Sequence, residues 1–139
     1  MKRSVWLAGL LALSACSGAS VPFTDRDLSE VVLTNPGADI VAPPLRYERI
    51  ALRTYRVGAD GVQEEIAGAR CTVTTTPYGA VVAATPVLLA VPILEPETPA
   101  LVATCTAPGL SGGTELPPQK GPFGIGYHGT IQVNMLGAS

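Results

Sequence analysis

The strongest constraint in this sequence is a pair of alternating runs, each carrying a cysteine. In the first, Cys71, Val73 and Thr75 fall on one face of an extended chain, and Thr72, Thr74 and Thr76 fall on the other. In the second, Leu101, Ala103 and Cys105 share a face opposite Val102, Thr104 and Thr106. Both sulfurs lie on the more apolar face, where a bridge between Cys71 and Cys105 would pin two strands across a core. The stretch from Ala69 to Gly109 is therefore expected to be a disulfide-closed part of a small β-sandwich.

The beginning of the chain reads differently. Lys2 and Arg3 form a short basic region, and Val5 to Leu13 is apolar. That apolar run is roughly half the ~20 residues a membrane-spanning helix needs. Leu13-Ser14-Ala15-Cys16 follows it and resembles the lipobox of bacterial lipoproteins, with a branched residue and two small residues ahead of the lipid-bearing cysteine. The resemblance implies that residues 1–15 are a signal peptide removed before Cys16. It also implies that diacylglycerol is attached to the sulfur, with an acyl chain such as palmitate on the new amino terminus. Each buried methylene contributes about 0.8 kcal/mol, so two or three chains hold a protein on a membrane stably. The alternative is an ordinary secretory signal whose cleavage site lies beside a cysteine. Ser17 follows Cys16, where enteric bacteria place an aspartate as an inner-membrane retention signal. That resemblance favours the outer membrane and a domain facing the periplasm.

On this reading residues 16–24 are a lipidated tether and residues 25–139 form one β-sandwich domain. The remaining 124 residues suffice for a single modest core. They hold seven basic and eleven acidic groups, which gives no electrostatic reason to seek nucleic acid. With Cys16 used by lipid, Cys71 and Cys105 have one possible pairing, and export places them in an oxidising compartment. A metal site is disfavoured because His128 is the only histidine. No cofactor is expected.

Turn signals divide the chain into about eight strands. Leu28–Thr34 reads as a first strand stopped by Asn35-Pro36-Gly37, and Asp39–Pro44 as an extended connection. Arg46–Val57 is ambiguous, because Arg46, Arg49, Arg53 and Arg56 would form one stripe on a helix. No complementary apolar stripe accompanies it, and Gly58-Ala59-Asp60-Gly61 leads directly into Val62–Ile66. A β-hairpin is the better reading. Tyr78–Ala84, Val87–Val91 and Ala100–Thr106 follow as strands, Leu110–Gly126 as a long loop rich in glycine and proline, and His128–Leu136 as the last strand. The fold class is all-β, an immunoglobulin-like or transthyretin-like sandwich.

Taken together, Gly68-Ala69-Arg70-Cys71, Thr85-Pro86, Val91-Pro92 and Val102-Ala103-Thr104-Cys105 resemble a pattern in small two-cysteine lipoproteins of alphaproteobacteria. The resemblance covers roughly residues 46–109. It implies a sandwich with a disulfide and brings no activity with it.

No catalytic set assembles from the sequence. Glu64 and Glu65 are adjacent, so on a strand they point to opposite faces. Glu95 and Glu97 lie in a proline-rich loop, and Gly121, Gly124 and Gly126 are not followed by a helix that could cradle phosphate. Two surface features stand out. Thr72, Thr74 and Thr76 form a hydroxyl row that would suit a polysaccharide or another strand, or is simply a wet strand face. Tyr47, Arg49, Arg53 and Tyr55 share one strand face, with Arg46 and Arg56 pointing the other way. A basic and aromatic face suits an anionic glycan, lipid headgroups or an acidic protein. It also suits an edge kept soluble by charge. The expected function is a lipid-anchored, non-enzymatic domain that binds or supports another cell-envelope component. The runner-up is a carbohydrate- or peptidoglycan-binding module, with a hydrolase built on His128 and Glu95–Glu97 behind it.

Overall fold

The computed structural model describes residues 24–35, 43–94, 98–122, 124–127 and 129–137. Cys16 and the lipobox, the Pro36–Gly37 turn, Glu95, Glu97 and His128 lie outside the described residues. After a 3-10 turn at Asp25–Asp27, the chain forms eleven described strands. These are β1 (Glu30–Val32), β2 (Arg46–Val57), β3 (Gln63–Ile66), β4 (Arg70–Thr75), β5 (Tyr78–Val82) and β6 (Val87–Ile93). They continue as β7 (Leu101–Ala107), β8 (Leu110–Leu116), β9 (Gln119–Gly121), β10 (Gly124–Gly126) and β11 (Ile131–Gly137).

Two sheets face each other and share strand β11. In the first sheet β1 lies parallel to β6, β6 antiparallel to β2, and β2 parallel to β11, while β3 folds back on the far end of β2. In the second sheet β5, β4, β7 and β8 follow one another, all antiparallel. Ile131–Met135 pair with Leu52–Arg56 of β2, and then Leu136 and Gly137 cross to Ser111 and Leu110 of β8. At the opposite corner Thr34, just past β1, exchanges both backbone hydrogen bonds with Gly79 of β5, at 2.9 and 3.0 Å. The sandwich is thus stitched at two corners and approaches a flattened barrel.

Alternation along each strand creates the core. Ile50 and Leu52 of β2, Leu89, Val91 and Ile93 of β6, and Val133 and Met135 of β11 pack against Val73 of β4, Val82 of β5, and Leu101 and Ala103 of β7. Each such Leu, Ile or Val side chain contributes about 1.5–3 kcal/mol by leaving water. Buried hydroxyls seal one end of this core. Thr54 Oγ1 lies 2.7 Å from Thr85 Oγ1 and donates to the carbonyl of Ile66 at 3.0 Å, and Thr85 Oγ1 accepts from Ala69 N–H at 3.2 Å.

The disulfide is present, but it does not pass from one sheet to the other. Cys71 and Cys105 are direct partners across the β4–β7 ladder, with Cα atoms 4.0 Å apart. Both runs turned the same face inward because they are neighbours in one sheet, so the bridge pins a ladder. The expected loop at Leu110–Gly126 is a further correction, since it contains β8 and the β9–β10 hairpin. Glycine is required there by proximity: a Cβ on Gly112 would overlap the carbonyl oxygen of Asn134 and lie 3.2 Å from Met135 Cα. A bare strand is what lets β11 cross over β8. The first strand is shorter than expected, because Thr34 leaves β6 to meet Gly79, and the last begins at Ile131.

Candidate functional site

Arg46–Val57 is one unbroken strand, and Tyr47, Arg49, Arg53 and Tyr55 share the face opposite Ile50, Leu52 and Thr54, but that face is covered at Ala51 and Arg53 instead of lying open along its length. Their surroundings differ sharply. Tyr47 is 45% exposed and Tyr55 is half-buried. Arg49 donates to Glu30 at 2.6 Å on open surface. Arg53 is only 7% exposed and donates to Glu65 at 2.7 Å and Asp25 at 3.0 Å. Burial alone would lower the pKa of this guanidinium; the bonds to and charges of Glu65 and Asp25 outweigh it and hold the pKa above its ordinary value. Two acids of the segment ahead of β2, together with Glu65 of β3, therefore occupy the arginines of this face. Glu30 lies 19 residues from Arg49 and Asp25 lies 28 from Arg53, so no local pattern links them and only the structure reveals the arrangement.

On the other face of the same strand, Arg46 donates to Glu48 at 2.8 Å and to the carbonyl of Ile125 at 3.0 Å. Glu48 accepts the backbone N–H of Tyr127 at 2.9 Å. The hydroxyl of Tyr127 donates to the carbonyl of Pro99 and lies 3.2 Å from Thr75 Oγ1. These contacts clamp the β9–β10 hairpin over the end of the sandwich. Arg56 lies opposite Glu64 on β3. Among the described residues, no group of three or more His, Cys, Asp and Glu side chains could hold a metal ion.

The second sheet presents a different outer face. Its register places Thr72 between Val81 and Thr104, and Thr74 between Gly79 and Val102. Thr106 stands between Arg70 and Ser111, and Thr104 beside Gly113. The threonine row of β4 thus continues onto β7 and β8 as a hydroxyl surface across three strands. Charge enters only at its corners, through Arg70 and Glu115. The alternation of the β7 run already turned Thr104 and Thr106 outward; what the sequence could not supply was the register that sets Thr104 beside Thr72.

At one edge this face sinks into a groove of about 430 Å³, lined by Thr34, Thr72, Thr74, Thr76, Gly79 and Val81 among others. Gly79 shapes it, because a Cβ there would point beside Thr74 Cγ2, 3.5 Å away, and press to 3.2 Å from the carbonyl of Val73. No lining residue carries a charge. No family model matches the chain, and no curated protein or solved structure shows a significant match to it.

Proposed function

We propose that this protein is a lipid-anchored, non-enzymatic domain of the bacterial cell envelope, which holds another envelope component on the outer face of its second sheet. One observation carries the choice of face. The β2 arginines Arg49 and Arg53 are engaged by Asp25, Glu30 and Glu65, whereas the hydroxyl face and its groove are open. Binding there would be reversible and would make or break no covalent bond.

The anchor reading rests on the Leu13-Ser14-Ala15-Cys16 pattern, and the ion pairs give it a spatial consequence. Asp25 is held by Arg53, toward the β3 end of β2. Thr34 and Gly79 lie at the end of the sandwich where β2 begins with Arg46 and β6 ends with Ile93. Arg53 lies seven steps along β2 from Arg46, about 23 Å. A short tether leading to Thr24 would thus draw the Arg53 end toward lipid and present the groove away from it.

Two measurements test the proposal. The intact mass of membrane-extracted protein should correspond to a chain starting at acylated Cys16; an unacylated chain would make it a soluble secreted protein. A photo-crosslinking residue at position 104 in living cells should capture an envelope component, and the same residue at position 47 should not. Capture from 47 alone would move binding to the first sheet and end this reading.

A further inference from the structure

We infer that the component held on this face is an uncharged glycan strand, with the groove beside Gly79 as a sugar subsite. This deepens the proposed function and rests on it. The argument begins with what the groove lacks. Thr34, Thr72, Thr74 and Thr76 line it among apolar neighbours that include Pro77, Tyr78 and Val81, and no lining side chain is charged. A phosphate, carboxylate or ammonium ligand would lose its hydration there and gain no counterion. A wholly apolar ligand would match Pro77, Tyr78 and Val81 but leave any threonine hydroxyl it covered without a partner. An uncharged, hydroxyl-bearing ligand avoids both costs, since every threonine hydroxyl can donate and accept.

Shape agrees with that chemistry. A volume of about 430 Å³ falls within the range of small-ligand sites, about 300–1,000 Å³. Val81, 56% exposed, offers an apolar patch for the C–H face of a sugar ring, and the missing side chain at Gly79 leaves room for the ring against Thr74. Beyond the groove, the Thr72–Thr104 pair and the Thr106–Ser111 pair continue hydroxyls across neighbouring strands. Strands lie about 4.8 Å apart, so the hydroxyls recur at short intervals along a track that a chain of sugars can follow. An extended polymer is therefore a better fit than a single monosaccharide.

The test uses full-length protein in detergent and two soluble probes. One is chitotetraose, a neutral N-acetylglucosamine oligomer, and the other is polygalacturonate, an anionic sugar polymer. Thr72→Val with Thr74→Val removes two hydroxyls and keeps β-branched side chains suited to an exposed strand. Unchanged circular dichroism would show that this variant is folded. Wild type should bind chitotetraose and ignore polygalacturonate, and the double variant should bind at least about tenfold more weakly. Equal binding by wild type and variant, or preference for the anionic polymer, would overturn the inference. If chitotetraose does not bind while position 104 crosslinks to a protein, the sugar is wrong and the docking face stands. If neither occurs, both fall.

Discussion

Nη2 of Arg53 stands 3.0 Å from Oδ1 of Asp25, which ties the segment ahead of β1 to the long strand at the centre of the first sheet. Glu65 holds the same guanidinium from β3 at 2.7 Å. A surface ion pair contributes little, but this cation is almost wholly buried, and removing it leaves the mostly covered Glu65 without its partner. Arg53→Met keeps most of the stem and deletes the charge. It should cost about 1–3 kcal/mol in urea denaturation. Asp25→Asn, at an exposed partner, should cost less than about 1 kcal/mol. Equal costs would show that burial of Arg53 contributes nothing.

The Cys71–Cys105 bridge closes a loop with a sequence separation of 34. Loop-closure entropy assigns it about 3–4 kcal/mol, more than one buried leucine supplies. The Cys71→Ala/Cys105→Ala pair should lose that much in a denaturation experiment. Both residues are essentially fully buried, so dithiothreitol should reduce the folded protein far more slowly than the urea-unfolded one. Reduction at the same rate in both states would contradict the placement of the bridge inside the sandwich.

Thr85 sits where the chain leaves the second sheet for the first. Its hydroxyl joins Thr54 at 2.7 Å and Ala69 N–H at 3.2 Å, all within the core. Thr85→Val keeps the volume and leaves Thr54 and the Ala69 amide short of a partner. A loss of about 1–3 kcal/mol is expected, and the Ala69 amide should exchange its proton faster. A variant as stable as wild type would mean that water replaces the hydroxyl at no cost.

Local periodicity carried much of this fold into the sequence. Arg46–Val57 forms the strand its outward tyrosines and arginines required, and the Asp60-Gly61 turn returns it along β3. The cysteine runs paired because both turned sulfur to the same side. What stayed hidden depended on contacts between distant segments. Gly112 looks like a loop residue until β11 is seen to cross above it. Arg53 reads as a free surface cation until Asp25 and Glu65 close over it. Thr104 was already outward in its own strand, yet only the register with Thr72 makes the two a surface. Side-chain direction follows from one strand alone, whereas register and coverage need the whole sheet.

Tyr127 gives the fold an alkaline limit. Burial raises the pKa of its phenol above the ordinary 10.0, the charge of Glu48 adds to that, and the hydrogen bond with Thr75 opposes it without prevailing. The folded protein therefore keeps this proton where the unfolded chain releases it. Stability from this group is fully present below pH 10.0 and is lost as pH rises through the higher folded value. Denaturation free energy should fall across this window in a series from about pH 8 to about pH 12. Tyr127→Phe should flatten the fall. It should also cost about 1 kcal/mol at neutral pH, because the Pro99 carbonyl still accepts from Thr75 at 3.3 Å after the phenol is gone. If the phenylalanine variant loses stability with pH as steeply as wild type, the alkaline transition belongs to another group.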